Sequence, residues 1–113
     1  MSECLFCRIV AGEIPARKVF EDDELLAFHD IHPIAPVHFM IIPKAHVASL
    51  AECTPAHREV LGRILLAAPE LARAQGLQDG FRVMINTGRG GGQEVFHLHV
   101  HVFGGQDGLP PRV

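Results

Sequence analysis

Residues 97–103 have the sequence His-Leu-His-Val-His-Val-Phe, in which imidazole and apolar side chains alternate. Residues two apart lie on one face of a β-strand, so the alternation predicts a strand with His97, His99 and His101 together and its apolar residues toward a core. A histidine-rich surface strand is the simpler interpretation. Imidazole, however, acts as nucleophile, acid, base or metal ligand near neutral pH, and glycine pairs lie on both sides. We therefore interpret these histidines as an active site.

A glycine-rich segment, Gly-Arg-Gly-Gly-Gly-Gln at residues 88–93, leads into the histidines. Glycine lets the backbone approach a ligand closely and turn its N–H groups toward an anion. A glycine run is usually only a turn, but its position next to three histidines favours a phosphate cradle. Arg89 could add positive charge there, although an exposed loop arginine is the simpler interpretation.

The bulk composition predicts a single domain over residues 1–113. The chain has 113 residues, of which 48% are apolar and 20% charged, and this suffices for one core. The net charge of −3 argues against a nucleic-acid partner, which would require a basic face. We find neither an apolar stretch long enough to span a membrane nor a signal-peptide pattern, so we expect a cytoplasmic protein with no membrane partner.

The remaining sequence predicts mostly strands with one long helix. Thr54-Pro55 is a typical helix start, and apolar residues keep helical spacing from there to Gly76, although Pro69 should kink or split the helix. This order favours an α+β fold with an antiparallel sheet. The other expected elements are a helix over 4–11, a hairpin of 18–21 with 25–29, strands over 38–42 and 81–86, and a short helix over 45–50.

Cys4 and Cys7 have the two-residue spacing that lets two thiolates reach one zinc ion. Such a pair is only half of a site, and two thiols on a short helix are often small core residues. His46 and His97 are candidates for the other two ligands, although spacing alone does not select them. We interpret Cys53 as structural.

Residues 97–103 resemble the signature of the histidine triad superfamily, a His-apolar-His-apolar-His-apolar-apolar pattern. The resemblance covers nearly the whole chain and implies an α+β protomer with one long helix, a short N-terminal helix, and a sheet continued across a homodimer. The segments that resemble the Hint branch, the histidine triad nucleotide-binding proteins, occur in family order: Phe20-Glu-Asp-Asp, Phe28-His-Asp-Ile31, Ala35-Pro-Val-His38, Ile42-Pro-Lys44 and Gly91-Gly-Gln-Glu-Val-Phe-His97.

The resemblance implies a purine nucleoside 5′-monophosphate site and hydrolysis of nucleoside phosphoramidates and acyl or aminoacyl adenylates. His99 would attack the α-phosphorus, and water would hydrolyse the resulting nucleotidyl-histidine. His101 would donate to the phosphate. His97, the first histidine of the row, completes the triad, and His38 would be a partner of the triad. Two alternatives stay open: a dinucleoside polyphosphate hydrolase, as in the Fhit branch, or a nucleotide-binding or sensing protein with little turnover.

Further site residues are implied by the resemblance. Asp30 would bind the ribose hydroxyls, and Asn86 and the Gly92 backbone would contact the phosphate or leaving group. Glu94 stands where animal Hint proteins carry a leaving-group serine, and it could either assist protonation or point to solvent. The base would lie against Leu5, Phe6, Ile9, Ile14, Phe28, His29 and Ile31. A structural zinc would be held by Cys4, Cys7, His46 and His97, with no organic cofactor.

Overall fold

The computed structural model describes residues 3–105 and 108–110. Its elements confirm the α+β fold with an antiparallel sheet, one long helix and a short N-terminal helix. In chain order they are α1 (Leu5–Val10), β1 (Lys18–Glu21), β2 (Leu25–His29), β3 (Val37–Pro43), α2 (Arg58–Ala74), β4 (Arg82–Met84) and β5 (Val100–Gly104). Single 3₁₀ turns occur at Leu50–Glu52, Pro55–His57 and Arg89–Gly91.

The five strands form one sheet in the order β1-β2-β3-β5-β4, and every neighbouring pair is antiparallel. The central strand β3 pairs with both β2 and β5. In this register Met40 lies opposite Phe28 on one side and His101 on the other. His101 therefore lies within the sheet and not at its edge.

The sheet is covered on both faces. One face packs Ala27, Ile41 and Val100 against the apolar side of α2, which contributes Ile64 and Ala68. On the opposite face, α1 packs its buried residues onto β2 and β3, in a cluster of Phe6, Ile9, Leu26, Phe28, Met40 and Ile42. Val100 and Val102, the neighbours of His101 in the strand, are buried on the α2 face. Because side chains alternate along a strand, His101 lies on the opposite, α1 face.

The predicted cap at Thr54 opens the 3₁₀ turn Pro55–His57, which leads directly into α2. The Thr54 hydroxyl accepts the Ala56 N–H at 3.2 Å, and the ring nitrogen Nδ1 of His57 accepts the Thr54 N–H at 2.9 Å. The expected split at Pro69 is wrong, because α2 continues through it to Ala74. Proline cannot donate to the carbonyl of Leu65, but Leu65 is half exposed, so water can reach that turn. Neither α2 nor any other helix within the described residues is long and apolar enough to cross a membrane.

Three local expectations need correction. Residues 45–49 form no helix, and only the 3₁₀ turn Leu50–Glu52 follows, capped by the Ser49 hydroxyl. The strand expected over 81–86 is limited to β4. The histidine stretch enters the sheet only at Val100, where pairing with β3 begins, because the Leu98 N–H donates to the Val47 carbonyl at 2.8 Å.

We predict that Ile41→Ala lowers the free energy of unfolding by about 2–5 kcal/mol, because it leaves a cavity between the sheet and α2. Ile41 is fully buried, whereas Leu66 on α2 is 74% exposed and provides the matched control. Urea unfolding should show a change of at most about 0.5 kcal/mol for Leu66→Ala. Equal losses for the two variants would contradict the packing described here.

Candidate functional site

The three histidines of residues 97–103 are buried. Their relative exposures are 0% for His97, 7% for His99 and 9% for His101, which rules out the simpler interpretation of a surface strand. Phe6 of α1 contacts two of them edge-on, with ring centroids 6.0 Å from His97 and 5.1 Å from His99. His99 and His101 lie 4.9 Å apart by ring centroids. The expected row of imidazoles is therefore present, although only its last member lies in β5.

A backbone carbonyl determines the protonation of the middle histidine. The ring nitrogen Nδ1 of His99 lies 2.7 Å from the carbonyl oxygen of His97. A carbonyl can only accept, so Nδ1 carries the proton and donates it. In neutral His99 the other nitrogen, Nε2, then keeps an unprotonated lone pair. This is the state in which an imidazole is a nucleophile.

His101 receives the opposite tautomer through His38. The Ile34 N–H donates to Nδ1 of His38 at 3.2 Å, which requires a lone pair there and places the proton of neutral His38 on Nε2. That nitrogen lies 2.9 Å from Nδ1 of His101 and donates to it. Neutral His101 must then carry its own proton on Nε2. His101 is therefore a donor at the nitrogen where His99 is a base.

A carboxylate lies beside this histidine pair. Asp30 accepts the His32 N–H through Oδ1 at 2.8 Å, and its Oδ2 lies 3.5 Å from Nε2 of His38 and 4.0 Å from Nδ1 of His101. Burial lowers the pKa of His101 to about 4, with the like charges of His99 and His38 acting in the same direction and Asp30 opposing them. Burial also lowers the pKa of His38. Both rings are therefore neutral near pH 7.

Asp30, His38 and His101 also bring three potential metal-ligand atoms together. A metal ion binds the unprotonated nitrogen of an imidazole. The Ile34 N–H, however, holds the lone pair of neutral His38 at Nδ1, on the far side of the ring from this group. The hydrogen bonds thus favour a proton-linked chain over a metal site here.

The four predicted metal ligands do converge. Their ligand atoms are the two Sγ atoms of Cys4 and Cys7 and the Nδ1 atoms of His46 and His97. Nδ1 of His97 lies 3.4 Å from Cys4 Sγ, 3.5 Å from Cys7 Sγ and 3.2 Å from Nδ1 of His46, which is 3.3 Å from Cys7 Sγ. Zinc bonds of about 2.0–2.3 Å in a tetrahedron separate ligand atoms by roughly 3.3–3.8 Å. The residues therefore fit a Cys₂His₂ zinc site.

The surroundings of this cluster suit a metal as well. Nε2 of His97 donates to the Pro43 carbonyl at 2.7 Å, which leaves the lone pair on Nδ1, facing the thiols. Burial lowers the pKa of His97 and so favours the neutral, ligating form. At the start of α1, the Cys7 N–H donates to Sγ of Cys4 at 3.4 Å, a contact that stabilises a thiolate.

The glycine-rich segment forms a tight turn beside the histidines. Gly88 and Gly92 have φ angles of 71° and 80°, which favour glycine. The Gly91 N–H donates to the Gly88 carbonyl at 3.1 Å and the Gly92 N–H to the Arg89 carbonyl at 3.0 Å. These two N–H groups are therefore engaged within the loop, and Arg89 is exposed. A phosphate contact at Gly92 remains a prediction.

The residues expected around the nucleotide are only partly brought together. Phe6, Ile9 and Phe28 share one buried cluster, with Ile14 packed against it. Leu5 and Ile31 are exposed, and His29 is half-buried at the end of β2. Asn86 is half-buried after β4, and Glu94 is exposed. The sequence did not indicate the backbone groups of Ile34 and Pro43 or the buried side chain of Gln93, since a residue type does not show what a backbone group contacts.

Two surface cavities lie elsewhere. One of about 390 Å³ lies between β1 and α2, lined by Phe20, Leu66 and Leu71 among others. The second, of about 160 Å³, is lined by residues including Asp79, Arg82 and Leu109. Neither of these two cavities is lined by a triad histidine.

The HIT domain family model matches residues 11–108. Protein HitA of Neisseria gonorrhoeae is 56% identical over 104 residues, covering 92% of this chain and 97% of HitA. A 14 kDa zinc-binding protein of Zea mays is 46% identical over 113 residues, covering 97% of this chain and 88% of that protein. A crystal structure of a HIT family hydrolase from Legionella pneumophila Philadelphia 1 has a TM-score of 0.89 at 50% identity, covering 92% of this chain and 94% of the other. This protein therefore belongs to the HIT domain family, the histidine triad superfamily to which its sequence pattern pointed.

Proposed function

We propose that this protein is a Hint-type hydrolase that releases a purine nucleoside 5′-monophosphate from nucleoside phosphoramidates and related acyl adenylates. The observation that carries the proposal is the pair of tautomers: the His99 Nδ1–H donates to the His97 carbonyl at 2.7 Å, and His101 presents N–H at Nε2. A base and a donor thus lie on adjacent rings, as displacement at phosphorus requires. The hydrolase relative from Legionella supports the reaction class.

The reaction consists of two displacements. In the first, the Nε2 lone pair of His99 forms a bond to the α-phosphorus, the P–N bond of the phosphoramidate breaks, and the leaving nitrogen takes a proton from solvent and departs as the amine. In the second, water attacks phosphorus and gives up a proton to solvent, the bond to Nε2 breaks, and nucleoside 5′-monophosphate leaves with His99 restored. The Nδ1–H bond to the carbonyl is kept throughout and stabilises the charge that forms on the ring.

His101 and its partners offset the charge on the phosphoryl oxygens. The Nε2–H of His101 is held by the chain from Ile34 through His38, so it needs no rearrangement when substrate arrives. Asp30 lies at the end of this chain, 3.5 Å from His38. Its carboxylate, half-buried beside the two rings, would accept from the ribose hydroxyls of the nucleotide.

The base would lie beside the α1 face of the sheet, where Phe6, Ile9 and Phe28 form a buried apolar cluster with Ile14 packed against it. We assign the rim of the site to the more exposed residues that the family resemblance implies. These are Leu5, His29 and Ile31 for the base, and Asn86, Gly92 and Glu94 for the phosphate and leaving group.

We also propose that zinc occupies the Cys₂His₂ cluster. The donor set and spacing fit, and the similar Zea mays protein is a zinc-binding protein. Four protein ligands leave no open position, so the metal would be structural and would fix α1 and His97. Because the His97 carbonyl also accepts the hydrogen bond from Nδ1–H of His99, a fixed His97 would hold the nucleophile in place.

A homodimer is a further part of the proposal. The two edge strands of the sheet are β1 and β4. The register of β1 shifts between Lys18 and Phe20, an irregularity that discourages pairing at that edge. At the β4 edge, Phe81 and Val83 are exposed apolar residues, which favours β4 as the strand through which two sheets join.

We predict that His99→Ala lowers kcat/KM for adenosine 5′-phosphoramidate by about a thousandfold or more, because the nucleophile is removed. His57→Ala, at the start of α2, is the matched control and should keep wild-type turnover. Parallel steady-state assays with diadenosine polyphosphate distinguish this activity from the Fhit-type alternative, a dinucleoside polyphosphate hydrolase, which would cleave that substrate. Unchanged turnover in His99→Ala would contradict the mechanism, and AMP binding without any turnover would favour a sensing role.

The pKa of His101 predicts a pH dependence of stability. The pKa of His101 is 6.5 in the unfolded chain and about 4 in the folded protein. The free energy of unfolding is therefore unaffected by the titration of this group above pH 6.5 and decreases as the pH falls toward 4, because the unfolded chain binds the proton first. Urea unfolding at pH 7.5 and 5 should show a smaller loss for His101→Asn than for wild type. Identical losses would mean that His101 does not titrate as described.

The zinc proposal predicts one equivalent of zinc per chain in protein purified without a His-tag. Cys7→Ser should lose the metal, and strong chelators should lower the melting temperature of wild type, because folding and binding are linked. Cys53→Ser is the matched control, since Cys53 lies outside the cluster and its Sγ contacts the Ser49 carbonyl at 3.6 Å. Less than about a tenth of an equivalent in wild type, with no effect of chelator, would remove the site.

A further inference from the structure

Gln93 is a buried polar side chain that the mechanism above does not use. It is 6% exposed, and both ends of its amide are occupied. Its Oε1 accepts the Gly88 N–H at 2.8 Å, while Nε2 donates to the Ala48 carbonyl at 2.7 Å and to the Val95 carbonyl at 3.0 Å. Three hydrogen bonds on one buried amide indicate a specific structural contact, because a buried polar group without a hydrogen bond costs free energy.

The acceptor end closes the glycine-rich loop. Besides the side-chain bond, the Gln93 N–H donates to the Gly88 carbonyl at 3.0 Å, so Gly88 and Gln93 are paired in both directions. Between them lie the turn Arg89–Gly91 and Gly92, and glycine has more accessible backbone conformations than other residues. One residue thus fixes both ends of this glycine-rich segment.

The donor end ties this loop to a segment that already serves the site. Ala48 follows His46, a ligand of the metal cluster, and Val47, whose carbonyl accepts the Leu98 N–H at 2.8 Å. Residues 46–48 therefore contact the metal cluster, the stretch that carries His99, and the glycine loop. Through Gln93, the loop is held at a fixed position relative to the nucleophile.

We propose that Gln93 is a positioning residue that holds the glycine loop in place beside the phosphate of the bound nucleotide. This rests on the proposed function in that the same site takes a nucleoside 5′-monophosphate. The amide is needed because one end must accept and the other must donate. Methionine matches its length without either group, and glutamate keeps the acceptor but lacks the donors.

The test compares AMP with adenosine, which lacks the phosphate, by isothermal titration calorimetry on the full chain. Gln93→Met should raise the Kd for AMP about tenfold or more and change that for adenosine by less than about twofold. Gln93→Glu should behave alike, which guards against a misfolded first variant. Ser49→Ala is the matched control: Ser49 is also buried, and its hydroxyl accepts the Ala51 N–H in the adjoining segment. We expect it to leave both affinities unchanged.

Equal weakening of AMP and adenosine would overturn the proposal, because it would show a general structural role. Unchanged binding of both ligands in both Gln93 variants would overturn it as well, as would a wild-type chain that binds neither ligand. The proposed hydrolysis is tested separately. A wild-type chain that binds AMP but cleaves no phosphoramidate would refute the reaction, whereas the comparison of AMP with adenosine would still decide the role of Gln93.

Discussion

Hydrogen bonds that fix the proton of each triad imidazole are the constraint on which the site depends. His97 donates from Nε2 to the Pro43 carbonyl, and His99 donates from Nδ1 to the His97 carbonyl. His101 accepts at Nδ1 from His38. Three identical side chains thus differ in the ring nitrogen left available: an unprotonated Nδ1 facing the thiols on His97, an unprotonated Nε2 on His99 and a protonated Nε2 on His101. The difference comes from the partners and not from the residue type.

The fold protects these hydrogen bonds from water. With the sheet covered by α2 on one face and α1 on the other, the histidines lie where water cannot easily replace their partners. Burial also lowers the pKa values of His38, His97 and His101, which keeps these rings neutral and each tautomer unique. A protonated ring would donate from both nitrogens and lose that distinction.

Sequence periodicity predicted most of the architecture, because alternation and helix caps are local. Both strands of the first hairpin have the expected limits, and the Thr54-Pro55 cap opens the 3₁₀ turn that leads into α2. The failures involve competition with distant groups: Leu98 pairs with Val47 instead of extending β5, and residues 45–49 remain irregular beside the cluster. The four cluster residues were identified by resemblance and converge as expected. The roles of Ile34, Pro43 and Gln93 could not be predicted, since they depend on which backbone groups the fold brings into contact.

His97 has two attachments, one through its ring and one through its backbone carbonyl. Its ring belongs to the Cys₂His₂ cluster at the start of α1, and its carbonyl receives the proton of His99 two residues later. The N-terminal helix is therefore linked through one residue to the position of His99 as well as to the sheet. Cys4 and Cys7 lie outside the strands and α2, so replacing them would leave the sheet pairing in place but remove the thiols that the His97 ring contacts. For this fold, an intact sheet and an intact histidine site are separate properties.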